Sequence, residues 1–166
     1  GTSFDAASLL TGGKIGAVLN ARDNQVQDVI DRLDLFAKTL VDQFNTQHAL
    51  GFDLNGNGGG NLFTPIALTA GAAANVSVDA AVVADPRLIA AAQSASALPG
   101  DNRNALALIG LGSTTIPALG GLTLEEHFLT LVGDVGSRAQ AATARFDFQQ
   151  ALLTQTQVRR ESISGV

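Results

Sequence analysis

The 166-residue chain contains no cysteine, tryptophan, tyrosine or methionine. Without cysteine there is no disulfide framework, no thiolate nucleophile and no cysteine-ligated zinc site, although the compartment stays open on that ground. Positive charge is scarce: ten Lys and Arg against fifteen Asp and Glu leave a net charge of −5. The bases stand singly apart from Arg159 and Arg160. Phosphate backbones are bound by clustered bases, so a nucleic-acid partner is not expected. No apolar run reaches the roughly 20 residues that a helical membrane span needs, so no membrane partner is expected either. The start, Gly1-Thr2-Ser3, lacks the basic and long apolar parts of a signal peptide. The chain therefore reads as an excerpt of a longer protein, with residues 1–13 the end of a linker from a preceding domain.

What is present is Ala, Leu and Val with eight Phe, set out in helical periods. Ile15, Leu19, Arg22, Val26, Val29, Leu33, Phe36 and Leu40 step alternately by four and three, an a/d seam with one polar member at Arg22. Ile30, Ala37 and Phe44 widen it, as a helix with several neighbours requires. This pattern predicts a helix over 14–50. At 1.5 Å per residue it would be roughly 55 Å long, more than a compact domain of this size is wide, so an elongated shape is expected. Gly51 reads as its C-cap, in a left-handed conformation, and a Gly-rich loop follows over 51–63.

Residues 64–122 read as an irregular region with short helices. Asn75 to Asp79 alternates like a strand, with room for a short strand pair. Asp85-Pro86 resembles the N-cap and first position of a helix reaching about Ala97, which Pro99-Gly100 stops. Asp101 or Asn102 then caps a helix from Arg103 to Leu111, and GLGSTTIPALGG is a connector. Thr123 and Glu126 form a capping box that opens a second long helix over 123–162. Its seam is Leu124, Phe128, Leu131, Val135, Ala139, Ala142, Phe146, Gln149 and Leu153, with one stutter. The last stretch is polar, and Leu152, Leu153, Val158 and Ile163 are its apolar members. Such a helix is marginal alone and is expected to want a partner from outside this chain. The fold class is therefore mainly α: one elongated helical domain over 14–166, a coiled-coil-like pair of long helices with a small irregular middle.

The stretch GFDLNGNGGGNLF opens like an EF-hand, with Asp53, Asn55 and Asn57 at loop positions 1, 3 and 5 and Gly58 at position 6. Position 12, where a bidentate Glu belongs, is Thr64. One carboxylate is too little charge for a tight site, so a calcium-binding module over 53–64 is the lesser alternative to a structural turn. The loop has no Lys in a Walker spacing, and Asn61 stands where the third glycine of GxGxxG would fall. His48 and His127 lie among polar residues on predicted helices with no HExxH spacing, and read as surface histidines. Ser113 lacks a nucleophile elbow. No constellation calls for an enzyme or a cofactor, and the seam phenylalanines read as packing.

Several segments resemble one family. GG-x-I-G at Gly12 to Gly16, LDLFA at Leu33 to Ala37, the tract Asn45 to His48 and G-x-DL-x-G at Gly51 to Gly56 are similar to the flagellar hook-associated protein 1 family. GDNRNALAL at Gly100 to Leu108 and RESISGV at Arg160 to Val166 are similar to its later landmarks, and the likeness is weakest between Thr64 and Ala97. The resemblance implies a non-catalytic, extracellular subunit of the bacterial flagellum, exported through the flagellar type III apparatus and built into the junction of hook and filament. It implies the C-terminal share of a rod-like helical domain, without the family's N-terminal helices, its outer β domain inserted before Gly12, or its terminal polymerising helix. Implied partners are copies of itself, hook protein, hook-associated protein 3, and an export chaperone through a terminal helix absent from this sequence. The fragment alone is expected to be monomeric. Gly51, Asp53, Gly56 and Phe63 become landmarks of a helix-end loop. A flagellin-like or hook-associated protein 3-like subunit is the alternative within the same class.

Overall fold

The computed structural model describes residues 13–165, with the side chains of Lys14, Ile15 and Arg22 outside that description. The expected linker over 1–13 falls almost wholly outside it. Five α-helices are seen among the described residues: α1 (Gly13–Asn20), α2 (Gln27–Ala49), α3 (Ala80–Ala84), α4 (Arg103–Gly110) and α5 (Leu124–Ser164). Single 3₁₀ turns punctuate the segments between them. A π-helical stretch, Ala21–Val26, joins α1 to α2 with right-handed helical backbone on both sides. The expected helix over 14–50 is thus helical throughout but not α throughout. A wider turn falls where Arg22 interrupts the apolar seam, and it shifts the face that residues before and after it share.

The chain divides into two compact units, residues 1–128 and 129–166. In the first, the core is made of small side chains, as the Ala-rich composition dictates. Val41, Ala72, Ala90 and Ala92 are fully enclosed, and Ile116, Leu119 and Leu124 form a cluster against which Leu35, Phe36, Leu40 and Phe44 of α2 pack. Rings add to this seam: Phe36 lies 5.8 Å from Phe128, and Phe44 meets Phe63 edge-on at 5.9 Å. The second unit is the body of α5 alone.

No strand of more than one bridge forms among the described residues. Around Asn75 to Asp79 the alternation yields one antiparallel bridge, Phe63 with Val78. It is tied by Thr64 N–H to the Ser77 carbonyl and Asp79 N–H to the Leu62 carbonyl, each at 2.9 Å.

The helix expected from Asp85-Pro86 to about Ala97 is replaced by two separate 3₁₀ turns, Pro86–Leu88, capped by the Asp85 carboxylate, and Ala95–Ala97. The reason lies in what the following backbone binds. Ala92 exchanges both its N–H and its carbonyl with Phe52, Ala105 N–H donates to the Ala91 carbonyl, and Gln93 and Ser94 N–H donate to the Asp101 carboxylate. Amides held by distant partners cannot form a helical ladder. The expected capping box is present: Glu126 N–H donates to Thr123 Oγ1 at 3.1 Å, and Thr123 N–H to Glu126 Oε2 at 2.9 Å.

Candidate functional site: the polar stripe of α2 and the loop it holds

A second stripe runs along α2 beside the apolar seam, and it is mostly polar. Asp34, Lys38, Val41, Asn45 and His48 also step by four and three, so they share one face. Asp34 is buried, its two carboxylate oxygens accepting Gly71 N–H at 2.7 Å and Ala73 N–H at 2.8 Å. Lys38 Nζ donates to the Ile66 carbonyl at 3.0 Å and pairs with Asp42 at 2.9 Å. Asn45 Oδ1 accepts Leu62 N–H and Phe63 N–H at 2.9 and 2.8 Å, while its Nδ2 donates to the Phe63 carbonyl at 2.9 Å. His48 meets the Gly60 carbonyl through Nδ1 and accepts Ala90 N–H on Nε2, both at 2.8 Å. As the stripe advances from 34 to 48 its partners retreat from 73 to 60. The loop therefore returns antiparallel along the helix, held by side chains where a sheet would use a neighbouring strand.

His48 is fully enclosed, which corrects the expectation of a surface histidine. Its polar sequence neighbours mislead because their own side chains are structural as well. Gln47 Nε2 donates to Asn104 Oδ1 at 2.7 Å, and Asn104 Nδ2 donates to the Ala90 carbonyl at 2.6 Å. Both amide groups of Ala90 are thereby satisfied by side chains. The pairing assigns His48 the Nδ1–H tautomer, since Nε2 must accept. With both ring nitrogens engaged, His48 is neither a free base nor a free ligand. His127 is half-buried, its ring stacked on Phe36 with centroids 6.1 Å apart.

Backbone contact decides the glycines of the loop. Gly51 is not in the left-handed region expected of a C-cap. A Cβ there would collide with the Asn104 side chain and lie 2.8 Å from the Ala90 carbonyl oxygen. At Gly59 it would collide with the His48 carbonyl and approach Ala90 Cβ to 2.7 Å. The left-handed position is Gly56, at φ +82°.

Asp53, 3% exposed, organises the turn from within: its Oδ1 accepts both Asn55 N–H and Asn57 N–H at 2.8 Å. Burial opposes its ionisation. The backbone N–H groups of Asn57 and Asn55 outweigh that, and its carboxyl titrates below the usual range. These amides fill on Oδ1 the role that a bound cation would play at the first position of a calcium loop. Asp53 lines a cleft of about 230 Å³ with Gly58, Gly60, Asn61, Asp79 and the start of α3. Among the described residues no group of three His, Cys, Asp or Glu is placed to hold a metal ion.

The seam residues distribute unevenly. Leu124 and Leu131 are buried, and Leu19, Val29, Leu33, Phe36, Leu40 and Phe44 are half-buried. Val26, Phe128, Val135, Ala142, Phe146 and Leu153 are exposed, and the Ile15 side chain lies outside the described residues. Of the loop landmarks, Phe63 falls within the segment that the polar stripe holds, whereas Gly51, Asp53 and Gly56 precede it in the turn that Asp53 organises. The stripe itself was not among the expected sites. Its signal was available in the heptad spacing of Asp34, Lys38, Asn45 and His48 around Val41, but apolar counting passes over it.

Residues 1–63 match the family described as Flagellar hook-associated protein FlgK helical domain, a span that takes in α1, α2 and the loop to Phe63. Flagellar hook-associated protein 1 of Escherichia coli (strain K12) is 22% identical over 237 aligned positions, which include 95% of this chain and 43% of that protein. The alignment is longer than the 166-residue chain, so the relative carries additional residues opposite it. The chain spans less than half the length of this curated relative.

Proposed function

We propose that this FlgK-like chain is part of a non-catalytic structural subunit of the bacterial flagellum, set at the junction of hook and filament on the outside of the cell. The observation that carries the reading is the match over residues 1–63. It takes in α2 and the start of the returning loop, where Asn45 and His48 hold Gly60, Leu62 and Phe63 through part-buried hydrogen bonds. Such an element transmits load without needing a reactive group. In this reading the apolar seam, from Ile15 through Phe44 on the first helical stretch and from Leu124 through Leu153 on α5, packs helices within the subunit and against its neighbours. The partners are copies of the same protein, hook protein and hook-associated protein 3, with an export chaperone acting on a terminal helix beyond this sequence. No helix among the described residues is long and apolar enough to cross a membrane.

Immunogold labelling of intact flagella with antibody to this chain tests the placement. A single band of gold where hook meets filament is expected. Gold along the whole filament would assign a flagellin-like subunit instead. Absence of the protein from immunoblots of purified, depolymerised flagella would overturn the reading altogether.

A further inference from the structure

The sequence contains two Asn-Gly steps, Asn55-Gly56 and Asn57-Gly58, both in the turn that Asp53 organises. Asn followed by Gly is the dipeptide most open to intramolecular attack, because glycine offers no side chain to block its own amide nitrogen. In the folded chain the two steps differ. Gly56 N–H donates to the Asp53 carbonyl at 3.0 Å, and Gly56 is held at φ +82°. Gly58 N–H makes no hydrogen bond among the described residues, and the space around its Cα is open, with nothing within 4 Å of where a Cβ would stand. Asn57 is itself exposed.

We propose that Asn57 is a site of spontaneous deamidation in the folded protein and that Asn55, in the same loop, is protected. The step balances with solvent water alone. The Gly58 amide nitrogen loses its proton to solvent and attacks Asn57 Cγ, forming a C–N bond. The Cγ–Nδ2 bond breaks, the departing nitrogen takes a proton, and ammonia leaves a succinimide. Water then opens either carbonyl to give aspartate or isoaspartate. Either product adds a negative charge about one turn from buried Asp53. The isoaspartate also lengthens the main chain, which disturbs the Asp53 N–H to Asn57 carbonyl bond of 2.8 Å and the adjoining Gly59 N–H to Gly51 carbonyl bond of 2.9 Å. The inference rests on the loop geometry and is independent of the flagellar assignment.

The test incubates the intact chain at mildly alkaline pH and maps deamidation by mass spectrometry on the chymotryptic peptide between Phe52 and Phe63, with backbone fragmentation to separate the two asparagines. Releasing one neutral hydrogen bond slows a step by about fivefold, so Asn57 should react at least about five times faster than Asn55 in the native chain. In urea the two rates should converge. Gly58→Ala, which the open space accommodates, should suppress the Asn57 reaction while leaving the circular dichroism spectrum unchanged. Equal native rates, a faster Asn55, or a Gly58→Ala variant that deamidates as fast as its parent would each overturn the proposal.

Discussion

At the scale of single residues, the largest effects belong to side chains that satisfy backbone groups inside the first unit. His48 is the clearest. Replacing it with Ala leaves the Ala90 N–H and the Gly60 carbonyl without partners and opens a cavity at a fully enclosed position. Each orphaned group costs about 1–3 kcal/mol, so His48→Ala should lower stability by roughly 3–5 kcal/mol. Urea denaturation reads this as a shift in midpoint. His127→Ala removes only a half-buried ring stacked on Phe36 and should cost about 1 kcal/mol. Equal losses for the two variants would show that enclosure of His48 does not matter.

Acid sensitivity follows from three aspartates whose carboxyls titrate below the ordinary 3.8. For Asp101 the first cause is the hydrogen bond from the Arg103 side chain, opposed by burial and aided by the Arg103 and Gln93 amides. Asp85 is held down first by the Arg87 side chain. A depressed folded-state pKa contributes stability that is whole above the unfolded value and disappears as pH falls through the folded one. The melting temperature should therefore decline on acidification from about pH 4 downward, with the loss continuing to lower pH as each carboxylate is protonated. Asp101→Asn should melt lower at neutral pH and show a shallower acid limb. An unchanged acid slope in that variant would remove Asp101 from the account.

At the scale of elements, α2 works through two stripes with different chemistry. The apolar one packs against Ile116, Leu119 and Leu124, and the polar one holds residues 60–73. Asn45, the fourth member of the polar stripe, makes three bonds to two successive residues. Asn45→Ala should cost about 2–3 kcal/mol, since it orphans part-buried backbone groups. In hydrogen exchange it should expose the amides of Leu62 and Phe63 before those of Ala105 and Leu108 in α4. Uniform loss of protection would mean that the loop and α4 open together.

These elements also mark what the sequence makes legible. The helical stretches, the capping box at Thr123 and Glu126, and the start of α4 at Asp101 or Asn102, where the Asp101 carboxylate accepts Arg103 N–H, follow from periodicity and local capping, which act over a few residues. The failed helix after Pro86 and the burial of His48 depend on partners up to 42 residues apart, which no local pattern carries. The tight approach at Gly51 and Gly59 was likewise hidden, because a glycine that merely relaxes a turn and one that admits a passing backbone look the same in a sequence.

At the scale of the whole molecule, the two units should differ sharply in cooperativity. Within the first, part-buried side-chain to backbone bonds tie α2 to the returning loop, and buried ones tie α2 and α4 to Ala90. In the body of α5 every side chain from Ala139 to Ser164 is exposed, including Phe146, Phe148, Leu152, Leu153, Val158 and Ile163. A single helix with its apolar residues in water has little beyond its own backbone ladder and a few i,i+4 pairs, such as Arg138 with Asp134. Its opening free energy should approach zero, whereas amides in the 37–48 stretch of α2 should open only with the unit as a whole. In the isolated chain, amide exchange over 139–164 should thus be complete within seconds while that over 37–48 persists. In assembled flagella the same 139–164 amides should become protected, because burial of their apolar residues is what assembly of the proposed subunit supplies. If the segment exchanges as fast in the assembled organelle as in solution, α5 is not an assembly surface there and the helical-seam part of the functional reading fails, while the locked loop of the first unit would stand untouched.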